Sequence, residues 1–166
     1  GEIAFEGGVC PIATAVKGDG GAVLHRPADG AAPPPVGAMV EARIDAKTRA
    51  LYRRVHTALH LLSVVIPMPV TGGQISAGKG RLDFDMPEAP SDRDALEARL
   101  NALIAEDHPV GVEWITDAEL EADPGLVKTM AVKPPTGQGR VRLVRIGTVA
   151  TPVDLQPCGG THVRST

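Results

Sequence analysis

Apolar and polar positions alternate in short runs over the first 45 residues. Gly1-Glu2-Ile3-Ala4-Phe5 alternates, Glu6-Gly7-Gly8 is turn material, and residues 9–16 form a second short run. Lys17-Gly18-Asp19-Gly20-Gly21 is another turn, followed by Ala22-Val23-Leu24-His25. Pro33-Pro34-Pro35 is a stiff connector, and residues 36–44 make a further strand that alternates at Met39, Glu41 and Arg43. Short strands separated by Gly and Pro turns predict a small β-barrel, or part of one, over residues 1–44.

At residue 45 the period changes. Asp45 is a predicted N-cap, and Leu51, Val55, Leu59 and Leu62 follow at helical spacing until Pro67 and Pro69 end the run. Thr71-Gly72-Gly73-Gln74 reads as a loop and Arg81-Leu82-Asp83-Phe84-Asp85 as a strand. Ser91, with Asp94 three residues on, opens a second helix whose apolar set is Leu96, Leu100, Leu103 and Ile104, stopping near Pro109. Residues 110–115 read as a strand, and Thr116-Asp117-Ala118-Glu119 is a capping box for a short helix. Residues 127–132 and 140–149 read as strands around the turn Pro134-Pro135-Thr136-Gly137. Residues 45–166 are therefore expected to be a second, α+β domain, with helices layered on a mainly antiparallel sheet.

Composition narrows this picture. Hydrophobic residues are 43% and charged residues 22% of 166, the balance of a globular chain. Aromatics are 2%, too few for base-stacking platforms, so the core must be aliphatic. No apolar run approaches the ~20 residues of a membrane span, and no secretory signal opens the chain. Two cysteines, Cys10 and Cys158, are no disulfide framework, and pairing them would need an oxidising compartment. The expectation is a cytoplasmic protein.

The net charge of −3 hides a segregation. Residues 41–82 hold 7 basic and 2 acidic groups, residues 83–125 hold 2 and 13, and residues 126–166 hold 6 and 1. The acidic stretch reads as a solvated helix pair. The two basic stretches are expected to share a face for a polyanion.

The candidate chemistry sits in two places. In His56-Thr57-Ala58-Leu59-His60, positions i and i+4 share one helix face, so both imidazoles can reach one metal ion. Two ordinary helical histidines are the plainer alternative. Zinc peptidases place Glu directly after the first His, and Thr57 stands there instead, which removes that reading. In Cys158-Gly159-Gly160-Thr161-His162, Cys and His lie four apart across a glycine turn; a buried thiol and a surface histidine are the alternative here. Together the two pairs make a Cys-His₃ set of zinc type. Three donors plus water would be catalytic and four closed donors structural, with His162 the least secure of the four. His25 and His108 read as surface or packing residues.

These two strings, with Gly73-Gln74 and Arg81-Leu82-Asp83-Phe84-Asp85 between them, resemble the editing domain of alanyl-tRNA synthetase and its freestanding AlaX-type relatives, over residues 36–163. The related threonyl-tRNA synthetase domain usually has Pro before the final His, so Thr161 favours the alanine branch. The resemblance implies hydrolysis of mischarged Ser-tRNA(Ala) or Gly-tRNA(Ala), a zinc ion held by His56, His60, Cys158 and His162, and a two-layer editing domain after a small barrel. The chain departs from the pattern in two ways. The Gly-Gly-Gly-Gln stretch of the family's barrel has its nearest match in Glu6-Gly7-Gly8-Val9-Cys10, which reads as a hairpin turn. The freestanding proteins continue past the last His, whereas this chain stops at Thr166. The barrel is accordingly expected to be incomplete.

Ester hydrolysis needs activated water and a stabilised oxyanion, both of which zinc can supply; equally it can position the substrate. No carboxylate adjoins either pair, so no general base is assigned. Thr57 and Gln74 are the nearest polar groups for reading a serine hydroxyl and are the two candidate catalytic residues. For the tRNA phosphates the available cations are Arg49, Arg53, Arg54, Lys79, Lys128, Lys133, Arg140, Arg142 and Arg145. Threonine-type Ser-tRNA editing, a non-catalytic zinc-stabilised tRNA-binding module and a metal-dependent hydrolase of small esters are the competing functions.

Overall fold

The structure, a computed structural model, describes residues 1–130 and 139–166. The chain divides into two compact units, Gly1–Arg49 and Ala50–Thr166.

The first unit is an open antiparallel sheet. Its strands are β1 (Glu2–Phe5), β2 (Gly8–Lys17), β3 (Val23–Pro27) and β4 (Val40–Arg43), in the order β3-β2-β1-β4. Glu6 and Gly7 make the β1–β2 turn, with Gly7 at φ +100°, a conformation that L side chains rarely adopt. The alternation of the first 45 residues is thus real β structure. The expected barrel is not what it builds: among the described residues no closed barrel forms, and β3 and β4 are the outer strands. Cys10 is the one residue of β2 fully buried, while Val9, Val16, Val23 and Leu24 are exposed. Four strands with so small an apolar interior have too little to wrap around.

Asp45 caps the first helix as predicted, accepting from the backbone N–H groups of Lys47 (2.9 Å) and Thr48 (3.0 Å). That helix, α1, runs Ala46–Val65, and its second half is buried on several sides through Thr57, Leu59, His60, Leu61, Ser63 and Val65. Leu51, expected on the buried stripe, is 40% exposed.

In the second unit, β5 (Val70–Ser76) and β6 (Lys79–Phe84) form a hairpin with Gln74 opposite Arg81. The Thr71–Gln74 stretch is therefore strand, not the predicted loop. Gly80 lets β6 lie against α1; a Cβ there would sit 2.6 Å from Val55 and 3.0 Å from Leu59. Helix α2 (Arg93–Ala105) is capped by Asp92 rather than by Ser91, and no residue on it is buried. Helix α3 (Asp117–Ala122) opens with the predicted capping box of Thr116 and Glu119.

The remaining strands are β7 (Val110–Ile115), β8 (Val141–Gly147) and β9 (Pro152–Pro157), an antiparallel sheet in the order β7-β8-β9. As the middle strand, β8 buries side chains on both faces: Val141, Leu143, Val144 and Ile146 are at most 1% exposed. Of the strand expected at 127–132, the described part is an extended pairing. Val70 donates to the Lys128 carbonyl and Met130 to the Val70 carbonyl, each at 2.9 Å. Residues 131–138, with Lys133 and the Pro134-Pro135-Thr136-Gly137 turn, lie outside the described residues. Mixed α+β architecture with antiparallel sheets is what the chain adopts, with few helices and three separate sheets.

Candidate metal centre

Helix α1 carries His56 and His60 one turn apart, and the turn after β9 carries Cys158 and His162. The two pairs, far apart in sequence, converge: one donor atom from each of the four lies within 4.8 Å of every other. Cys158 Sγ is 3.6 Å from His56 Nε2 and 3.4 Å from His162 Nε2. A tetrahedral zinc with ordinary Zn–N and Zn–S bonds has N···S edges of about 3.5 Å. The donor set thus has the spacing and chemistry of a zinc-type site and could hold a metal ion.

The three imidazoles are turned the same way by separate partners. His60 Nδ1 lies 2.9 Å from Asp154 Oδ2, His56 Nδ1 lies 3.3 Å from the Thr161 carbonyl, and His162 Nδ1 lies 3.1 Å from Thr57 Oγ1. Thr57 Oγ1 donates its proton to the Arg53 carbonyl at 3.0 Å, so toward His162 it acts as acceptor. Each Nδ1 therefore carries the hydrogen, which leaves every Nε2 lone pair for the shared centre.

Asp154 was invisible to the sequence reading because it sits on β9 four positions before Cys158, not next to a ligand. Its side chain is fully buried and also receives Lys128 Nζ at 2.5 Å and Gln156 Nε2 at 2.8 Å. Burial pushes the Asp154 carboxyl up, but its bonds to His60, Lys128 and Gln156 outweigh this and hold it below the usual carboxylate value. The sequence signal was Asp154 and Gln156 alternating on one face of an otherwise apolar strand.

Burial raises the Cys158 thiol, yet hydrogen bonds from His162, His56 and His60 bring it down to about 3, so the sulfur is a thiolate at neutral pH. Burial lowers His60, but its bonds to Asp154 and Cys158 raise it overall; a proton on Nε2 competes with a metal for the same lone pair. His162 is lowered, by burial and by the neighbouring histidines, against the pull of Cys158.

The glycine turn has mechanical reasons. A Cβ on Gly160 would fall 2.2 Å from His56 Cε1, so the backbone must pass bare beside the ring. The Gly160 N–H donates to Cys158 Sγ at 3.3 Å. Arg142 on β8 donates Nη1 to the carbonyls of Cys158 (2.6 Å) and Gly160 (2.9 Å), clamping the turn.

A cavity of about 410 Å³ opens beside the cluster, lined by His56, His60 and Cys158, by Gln74 of β5, and by Leu59, Val70, Ile75 and Leu82. Gln74 is thus brought to the site. Thr57 is placed elsewhere: it is 2% exposed, behind His162, and does not line this cavity. The cations expected to meet phosphates separate. Arg142 is committed to the turn, Lys128 to Asp154, Arg145 to Glu113 and Arg81 to Asp83. Arg53 and Arg54 gather instead with Arg164, which sequence reasoning left out.

Residues 141–166 match the family described as Threonyl and Alanyl tRNA synthetase second additional domain. The chain is 32% identical over 135 residues to the alanyl-tRNA editing protein AlaX-M of Methanosarcina acetivorans, covering 78% of this chain and 54% of that protein. It is 30% identical over 174 residues to the alanine–tRNA ligase of Pyrobaculum neutrophilum, covering 100% of this chain and 19% of the ligase. With the ligase of Thermofilum pendens the figures are 34% over 170 residues, 98% and 18%. The chain spans about half the length of the AlaX-M relatives and under a fifth of the ligases. Together these matches support an AlaX-type editing domain.

Proposed function

Taking the chain as an AlaX-type editing domain, we propose that it deacylates mischarged alanine tRNA, hydrolysing the ester of Ser-tRNA(Ala) or Gly-tRNA(Ala) at a zinc centre. The observation that carries the proposal is the convergence of three Nε2 lone pairs and one thiolate at the wall of an amino-acid-sized cavity. His56, His60, Cys158 and His162 would hold the ion. Zinc there supplies Lewis acidity toward water or an ester carbonyl.

The chain's own residues set up the rest. Asp154, Thr161 and Thr57 fix the ring orientations, and Arg142 fixes the turn. Leu59, Val70, Ile75 and Leu82 give the cavity an apolar wall that thins the water around a bound ester. Against that wall Gln74 offers an amide to the aminoacyl side chain. An apolar pocket rejects an added hydroxyl by only ~10², whereas a site that hydrogen-bonds it discriminates far more strongly against the analogue lacking it. We assign Gln74 to the serine hydroxyl and Thr57 to positioning His162.

The test is deacylation of Ser-tRNA(Ala), Gly-tRNA(Ala), Ala-tRNA(Ala) and Ser-tRNA(Thr) by the zinc-loaded chain. Turnover of the first two over the others is expected. Full zinc with no turnover of any tRNA would instead make the centre a structural element of a binding module.

A further inference from the structure

The notch between the first half of α1 and the C-terminal segment is lined by Arg53, Arg54 and Arg164 with Ala50 and Val163, and has a volume of about 370 Å³. It is separate from the metal cavity, with which it shares no lining residue. Three guanidinium groups gather there, and among the described residues no ion pair engages any of them. Arg53 Nε is buried and has no hydrogen-bond partner. An unpaired buried donor is costly, and three clustered like charges add repulsion. A bound anion would relieve both.

The notch is held in place by the scaffold. Thr57 accepts the Val163 N–H at 3.3 Å, and the Arg164 carbonyl accepts from Val110 N at 2.9 Å. The Thr166 hydroxyl accepts from His108 N at 3.0 Å. Arg53 precedes the ligand-type His56 by three residues on the helix, about 4.5 Å along its axis, and Arg164 follows His162 by two. A phosphate seated here would therefore lie beside the metal centre, at a fixed distance from it.

We propose that Arg53, Arg54 and Arg164 form a phosphate site that grips the RNA backbone at the acceptor end while the ester enters the metal cavity. Forked guanidinium donors suit phosphate oxygens. This assignment rests on the editing reading for its ligand, and it is tested without using deacylation.

The probe is an uncharged, fluorescently labelled acceptor-stem minihelix RNA, titrated with the whole chain across a potassium chloride series. Arg54→Gln with Arg164→Gln changes two exposed side chains, and retained zinc content and circular dichroism establish that the fold is intact. Affinity is expected to fall about tenfold or more at low salt, and the log–log salt slope to shrink by about two, one per lost phosphate contact. Arg53→Lys keeps the charge but removes the buried Nε donor, so affinity should drop while the slope stays close to the parent value. Inorganic phosphate should displace the minihelix no better than chloride at equal ionic strength. Unchanged affinity and slope in the double variant would overturn the site. So would displacement by millimolar inorganic phosphate that depends on these arginines, which would make it a free-anion site. Arginine-dependent binding by a chain that deacylates nothing would keep the phosphate site and remove the editing function; deacylation with arginine-independent binding would do the reverse.

Discussion

Cys158 and His60 set how the centre responds to protons. With the thiol held down to about 3, sulfur is already ionised at neutral pH, so the proton that competes with a metal there sits on an imidazole. His60 is raised, which extends that competition upward from the ordinary histidine range of about 6.5. Zinc affinity is therefore expected to fall as pH drops through the imidazole range and to flatten above it. A competition titration with a chelating dye checks this. Affinity that keeps climbing steeply between about pH 8 and 9, the range of an unshifted thiol, would show that Cys158 is not a thiolate in the free chain. Asp154→Asn removes the carboxylate from His60 Nδ1 and leaves Lys128 without its partner. A 10–100-fold loss of zinc affinity is expected by the same titration. At this scale the ligand types were legible from two five-residue strings, since a metal site draws its donors from few residue types. The groups that aim them were not. Asp154 and Thr161 act through space, and Thr57, read as a substrate contact, turns its hydroxyl to His162 instead.

Among the elements, the turn after β9 is the one with least tolerance. Gly160→Ala places a methyl where His56 stands, with 2.2 Å between Cβ and Cε1, so either the ring or the turn must move. Loss of zinc binding with the helix content unchanged is expected, read by metal analysis and circular dichroism. The middle strand β8 carries the opposite kind of sensitivity. Leu143→Ala opens a cavity in the cluster of Leu120, Val141 and Leu143 and should cost about 2–5 kcal/mol in a denaturant melt. The helices were readable because their caps are local chemistry: Asp45 and Thr116 bond to backbone within three residues. The β5 strand was not. Gly72 and Gly73 suggested a loop, whereas pairing with β6 and the approach of Gly80 to Val55 hold the segment extended, and both are contacts distant in sequence.

Over the whole molecule, charge is arranged by partners that the sequence lists only as totals. Arg142, Arg145, Lys128 and Arg81 lie in the basic stretches, yet all are used internally. The acidic stretch does behave as read, with α2 solvated and no residue on it buried. The N-terminal strands were legible as strands but not as an open sheet, because barrel closure depends on how the outer strands meet and not on alternation within each. What joins these scales is the claim that the Cys-His₃ set holds zinc and that the zinc-loaded centre hydrolyses the ester. Its most direct test is single-turnover release of serine from Ser-tRNA(Ala) while the metal-stripped chain is titrated with zinc. The rate should rise linearly and level off at one equivalent, and Cys158→Ala should show neither the rise nor tight zinc uptake. A metal-stripped chain, or a Cys158→Ala chain, that releases serine as fast as the zinc-loaded parent would contradict the account.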